Sequence, residues 1–235
     1  MPGTMTAQTE MLEMTGIAKR FGPVQALADV SLRVRRGTVH ALCGENGAGK
    51  STLMKILAGV YRPDAGRIVM NGRECRFQNP GEAIAAGIAM IYQELDLAPD
   101  LTVAENVFLG AEPRSRFGLL NRSGAVAATA QLAAEYGFTV APAVRVADLA
   151  IGDRQIVELL KALRKNASII VMDEPTSSLS APEVERLFAA IRTLRARGIA
   201  IVYISHRLEE VVGLADAISV LRDGRVVHSG PLAEV

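Results

Sequence analysis

The 235-residue chain sets 26 Lys and Arg against 25 Asp and Glu, a formal net charge of +1, and is 49% hydrophobic but only 4% aromatic. That length allows one large domain or two small ones around an aliphatic core, and the balanced charge offers no electrostatic case for nucleic acid or an acidic membrane surface. No apolar run approaches the ~20 residues of a membrane helix, the first ten residues hold no signal-peptide core, and the two cysteines make no disulfide framework, which favours a cytosolic setting.

In chain order, residues 1–10 read as frayed. Met14–Ala18 and Val30–Val34 read as strands, with Lys19–Ala28 as the turn between them. Phe21 falls in that turn and is either a core residue or an aromatic face for a flat ligand. Val39–Cys43 is an apolar strand, with Cys43 a small buried residue at its end. Then comes Gly44-Glu45-Asn46-Gly47-Ala48-Gly49-Lys50-Ser51-Thr52, which matches Gly, four free positions, Gly, Lys, then Ser or Thr. Leu53, Ile56 and Leu57 follow at helical spacing, giving the strand–turn–helix context that a phosphate loop requires. Glycines let the backbone curl its N–H groups inward, and the helix adds its positive end. Lys50 would reach β- and γ-phosphates and the Ser51 hydroxyl would hold Mg²⁺. Gly66–Met70 and Arg73–Phe77 form a hairpin around Asn71-Gly72, which supplies two positive-φ positions. Pro80–Ala86 is a short helix, and Ile88–Tyr92 a short strand ending at Gln93, whose side-chain oxygen could complete a Mg²⁺ shell or position water.

From about 94 to 165 the pattern is helical. Thr102 and Glu105 make a capping box, residues 123–138 are rich in alanine, and Ile156, Leu159, Leu160 and Leu163 form one apolar face. Ser168–Met172 is a continuous apolar strand, as in a buried parallel sheet, and it ends in Asp173-Glu174. Ligands gather at that strand edge in open α/β sheets. Asp173 suits the outer shell of Mg²⁺ and Glu174 is placed to polarise an attacking water, although an acid there can simply cap a helix. Ser180 and Glu183 cap a helix closed by Gly198. Ile199–Ile204 is a second buried strand followed by His206, either a packed or solvated imidazole or a bridge between phosphate and water. Ala217–Leu221 and Arg225–Val227 form a hairpin around Asp223-Gly224. The layout is an α/β core with a mainly helical insert.

In this order, the phosphate loop, Gln93, a short glycine motif before a helix, Asp173-Glu174 and His206 together resemble an ABC-transporter ATPase domain, over Phe21 to about Gly230. The resemblance implies an α/β P-loop NTPase core with a mostly parallel sheet, an antiparallel β subdomain and a helical subdomain insert. It implies a single ATP-binding domain, with core 11–93 and 166–235 and helical part about 94–165. ATP and Mg²⁺ are the implied ligands, hydrolysed in a sandwich of two such domains. The residue matching Phe21 stacks on adenine, that matching Glu174 is the general base, and that matching His206 contacts γ-phosphate. Ile88–Leu95, Asn106–Gly110 and Ile204–Leu208 are similar to the first half of tandem ATPases of bacterial monosaccharide importers of the ribose, galactose and xylose type. The implied partners are a second ABC domain in the C-terminal half of the same polypeptide, membrane permease subunits and, indirectly, a periplasmic solute-binding protein. The implied place is peripheral, on the cytoplasmic face of the inner membrane, and the end at Leu232–Val235 reads as a cut inside a helix.

Two departures stand out. The family signature Leu-Ser-Gly-Gly-Gln, which acts on the partner's nucleotide, appears as Leu149-Ala150-Ile151-Gly152-Asp153. The serine hydroxyl is gone, a loss of roughly 1.5–3 kcal/mol for one charge-assisted hydrogen bond, leaving Gly152 and the helix N-terminus to offer N–H groups. Ser177-Ser178-Leu179-Ser180 also lacks the usual aspartate. Rival readings are a soluble ABC ATPase of translation or DNA repair, which would want a basic patch, and a non-catalytic regulatory module. A further rival is another P-loop class, a GTPase or a small-molecule kinase, of which the GTPase fits poorly because no Asn-Lys-x-Asp sequence is present.

Overall fold

The computed structural model describes residues 10–234. Strand β1 (Glu10–Phe21) pairs antiparallel with β2 (Val24–Arg35), followed by β3 (Val39–Cys43) and helix α1 (Lys50–Leu57). Next come β4 (Ala65–Met70), β5 (Arg73–Cys75), α2 (Pro80–Ala85) and β6 (Ile88–Ile91). The helical stretch holds α3 (Val103–Val107), α4 (Arg122–Glu135) and α5 (Ile151–Arg164). It gives way to β7 (Ile169–Asp173), α6 (Ala181–Ala196), β8 (Ala200–Ile204), α7 (Leu208–Leu214), β9 (Ala217–Arg222) and β10 (Arg225–Pro231).

Two sheets result. One is antiparallel, in the order β2-β1-β4-β5; the other runs β10-β9-β3-β8-β7-β6, parallel except for the β9–β10 hairpin at its edge. Period-two alternation sorts the second sheet's side chains onto its faces. Ile169, Val171, Ala200, Val202 and Ile204 face α1 and the antiparallel sheet, packing with Leu53, Ile56, Leu57, Met14 and Leu32. Ile170, Met172, Ile201 and Tyr203 face the other way, onto Ile156, Leu159 and Leu160 of α5 and Leu187 and Ile191 of α6. Both faces are covered, so β7 and β8 read as unbroken apolar runs instead of alternating ones.

Most expected elements lie within a residue or two of their sequence-based bounds. Both tight hairpins carry their positive-φ pairs, Asn71 at 47° with Gly72 at 75° and Asp223 at 49° with Gly224 at 70°. The capping boxes at Thr102/Glu105 and Ser180/Glu183 are present. The first hairpin differs. Its strands are twelve residues each and turn at Gly22-Pro23, so Lys19–Phe21 and Val24–Ala28 are strand and the loop shrinks to two residues. Register shifts between Met14 and Ile17, Ile17 and Lys19, and Lys19 and Arg20 break the alternation that marks a strand in sequence. The fraying expected for residues 1–10 lies outside the described residues apart from Glu10, which opens β1.

One buried polar group couples this fold to pH. His40 on β3 is 4% exposed, and its Nε2 lies 2.8 Å from Ser219 Oγ, which in turn is 2.8 Å from Ser229 Oγ. Burial lowers the imidazole from 6.5 to about 4, so the folded state holds it neutral while the unfolded chain takes up a proton below about 6.5. Stability therefore falls as pH drops from about 6.5 to about 4, by on the order of 3 kcal/mol for this group. Urea denaturation at pH 7 and pH 4.5 is expected to show a larger acid loss for the wild type than for His40→Gln.

Candidate functional site

All five residues of β3 are buried, and the chain leaves it through Gly44 at φ 151°. A Cβ there would sit 2.3 Å from the Leu221 carbonyl oxygen, so the close passage over β9 admits only glycine. Gly49, at φ 107°, caps α1; a side chain on it would meet Leu27 at 2.7 Å and the Ala26 carbonyl at 2.8 Å. Between them Ala48 N–H donates to the Glu45 carbonyl at 3.1 Å, and Lys50 folds its ammonium back into the loop, donating to the carbonyls of Gly44 at 2.6 Å and Glu45 at 3.0 Å. The Asp223-Gly224 turn braces the loop from outside. Gly224 N–H donates to the Ala48 carbonyl at 3.0 Å, and the Gly224 carbonyl accepts from Ala28 N–H at 2.7 Å.

Sheet order decides what faces this loop. Strands β3 and β7 flank β8, with all three parallel, so the phosphate loop, the acids after β7 and His206 after β8 emerge along one edge. A cleft of about 500 Å³ is lined there by Asn46, Gly47, Gly49, Lys50, Ser51 and Thr52 on one side and Gln93, Asp173 and Glu174 on the other. Val24, Gln25 and Ala26 of β2 and the Asp223-Gly224 turn complete its wall. Nothing in the sequence pattern marked those wall residues, because they reach the site through tertiary packing alone. Burial raises the Asp173 carboxyl above its ordinary range and Glu174 adds to this, while Lys50 and Lys55 oppose it. Glu174 stands in the left-handed region at φ 46°, its N–H donating to the Ile204 carbonyl at 3.0 Å. Its Oε1 lies 3.1 Å from Nδ1 of His206, whose side chain is otherwise exposed.

Among the described residues no group of three or more His, Cys, Asp and Glu could hold a metal. Of the oxygen-bearing residues that line the cleft, Ser51 offers a hydroxyl, Gln93 an amide oxygen and Asp173 a carboxylate. These hard oxygen donors fit Mg²⁺, a cation that completes its shell with water and substrate phosphate.

Some of the expected site residues lie outside the cleft lining. Phe21 ends β1 outside the cleft lining; its ring packs edge-on to Tyr61 at 5.1 Å and remains 42% exposed. Leu149, Ala150, Ile151, Gly152 and Asp153 lie at the start of α5, away from the cleft lining. Ala150 occupies the N-cap without a side-chain hydrogen bond, as its methyl dictates. The Gly152 N–H, expected to be on offer, donates instead to Glu183 Oε1 at 3.1 Å, and Asp153 pairs with Arg186 at 2.6 Å. Glu183 also accepts the Ser180 hydroxyl at 2.6 Å and the Ser180 N–H at 2.9 Å, and these bonds, the hydroxyl's first, hold its carboxyl below the ordinary range.

A family model described as "ABC transporter" matches residues 27–177. The chain is 51% identical to a ribose import ATP-binding protein of Streptomyces avermitilis, covering 97% of this chain and 43% of the relative. It is 49% identical to an arabinose import ATP-binding protein of Pseudomonas syringae pv. tomato, over 95% of this chain and 44% of the relative. The chain thus spans less than half the length of these curated relatives. Among solved structures, an ATP-binding cassette of an ABC transporter in its ADP conformation superposes with a TM-score of 0.84 at 27% identity, over 96% of this chain and 92% of that one. A nucleotide-free cassette gives 0.81 at 26%, over 94% and 91%.

Proposed function

Because the chain belongs to the ABC transporter family, we propose that it binds Mg-ATP and hydrolyses it at the interface with a second ABC domain, powering a bacterial importer of a monosaccharide. The observation that carries this reading is the single cleft that holds both the Lys50 loop and the Asp173-Glu174 pair, with His206 bonded to Glu174. The names of the ribose and arabinose relatives support the solute class. Residues 11–93 and 166–235 would form the core and 94–165 the helical subdomain. The second ABC domain would be the C-terminal half of the same polypeptide, as the relatives' greater length suggests. Permease subunits would contact this half directly and a periplasmic solute-binding protein only through them. No described helix is long and apolar enough to cross a membrane, which is consistent with a peripheral place on the cytoplasmic face of the inner membrane.

The mechanism follows from charge and reach. Loop N–H groups from Gly44 to Thr52 and the Lys50 ammonium would bind the triphosphate, Lys50 exchanging its carbonyl partners for phosphate oxygens. Phe21, exposed at the end of β1, is the aromatic we assign to the adenine face. Mg²⁺, held by Ser51, Gln93 and Asp173, would neutralise developing phosphate charge. Glu174 would take the proton of the attacking water. While Glu174 is ionised it accepts from His206 Nδ1–H, which leaves Nε2 of a neutral ring as an acceptor for a water proton. Nε2 donates to γ-phosphate only once the ring is protonated.

Glu174→Gln is expected to keep ATP bound and lower turnover about 10²-fold or more, read by ATPase assay with filter binding; wild-type turnover would remove Glu174 from the base role. Lys50→Ala should instead raise the ATP Kd. The Ala150 signature would serve the partner's site poorly, so the assembled transporter should work asymmetrically. Ala150→Ser is expected to raise its turnover, and an unchanged rate would argue against that asymmetry.

A further inference from the structure

Behind the cleft lies a carboxylate that the reading above leaves without a task. Glu210 on α7 is 8% exposed and does not line the cleft. Its two oxygens collect donors from both catalytic loops. Thr176 Oγ1 lies 2.8 Å from each of them, Tyr203 OH 2.7 Å and Ser205 Oγ 3.2 Å from Oε2, and Arg207 Nη1 3.3 Å from Oε1. Thr176 is two residues past Glu174, and Ser205 immediately precedes His206. We propose that Glu210 is a positioning residue for the Glu174–His206 pair, tying the loop that leaves β7 to the loop that leaves β8. This rests on the proposed role of that pair in hydrolysis.

The chemistry favours a carboxylate at this point. Ser205 Oγ accepts the Arg207 N–H at 3.0 Å, so its own proton is free for Glu210. Burial, and then the bond to Glu210, push the Tyr203 phenol well above its ordinary range, so it stays a donor. Thr176, Tyr203 and Ser205 are themselves buried. Three buried hydroxyls and a guanidinium aimed at one group need an acceptor without protons of its own, which an ionised carboxylate is and an amide is not. Packing alone would have been met by an aliphatic side chain such as neighbouring Val211 or Leu214. Glu174 also sits at φ 46°, a conformation that must be held from outside. The Thr176 bond supplies that restraint on one side, and the Glu174 N–H to Ile204 on the other.

The test uses the full-length polypeptide in its native assembly. Glu210→Gln is expected to lower kcat between about 10- and 100-fold, as small misplacements of reacting groups do, with the ATP KM and Kd unchanged. In a Glu174→Gln background, read by single-turnover hydrolysis, Glu210→Gln should cost little more, because the group it positions is already disabled. Thr176→Val, which cuts the tether on one side only, should lower kcat in the same direction and carries the test should Glu210→Gln fail to fold. Wild-type kcat in Glu210→Gln while Glu174→Gln is inactive overturns this inference alone, as does an equal fold loss in both backgrounds. Wild-type turnover in Glu174→Gln overturns the hydrolytic reading and this inference with it.

Discussion

The arrangement of three parallel strands, β3 and β7 on either side of β8, is the constraint on which the rest depends. Neighbouring strands lie about 4.8 Å apart, so this order sets the two outer ones about 10 Å from each other, a separation on the scale of a bound phosphate group and its metal shell. The loop after β3 supplies positive groups, the end of β7 supplies acids, and the loop after β8 supplies an imidazole bonded to Glu174. Both faces of these strands are sealed by apolar packing, with α1 and the antiparallel sheet on one and α5 and α6 on the other. The sheet is therefore a stiff mount, and the variable chemistry sits in short turns at its edge.

Hydrogen bonds fasten those turns to one another. The Asp223-Gly224 turn, late in the chain, bonds to Ala48 within the phosphate loop and to Ala28 of β2, joining the two sheets at the site. Glu174 bonds by its backbone to β8 and by its side chain to His206. Buried His40 and Ser219, joined by Ser229 on the exposed edge strand, form a second polar seam between β3, β9 and β10, away from the cleft. Polar groups placed this way are satisfied in the fold and costly to leave unpaired, so they favour one packing of the strands over others.

Local chemistry made much of this visible in the sequence. The phosphate loop has a spacing that few other structures require, the strands buried on both faces appear as β-branched runs, and Asn71-Gly72 and Asp223-Gly224 announce turns through the φ values they tolerate. What stayed hidden arises from contacts distant in sequence. The bulges of β1 disguised a twelve-residue strand as a loop, and Phe21 looked like a free turn residue although it lies against Tyr61. The left-handed backbone of Glu174 has no sequence marker. Glu210 is indistinguishable from exposed Glu209 in the run Leu208-Glu209-Glu210-Val211, because only the fold decides which acid is turned inward.

Glu183 shows how a structural bond bears on association. Its carboxylate caps α6 at Ser180 and also accepts the Gly152 N–H at the start of α5, which locks two helix beginnings together. The positive end of α5 is thereby already matched by an anion from within the same molecule. A negatively charged visitor to that end would arrive by exchange, dislodging Glu183 and loosening α6 from α5 as it does so. Occupancy on that outer surface would therefore be felt as altered contact between two helices packed on the sheet.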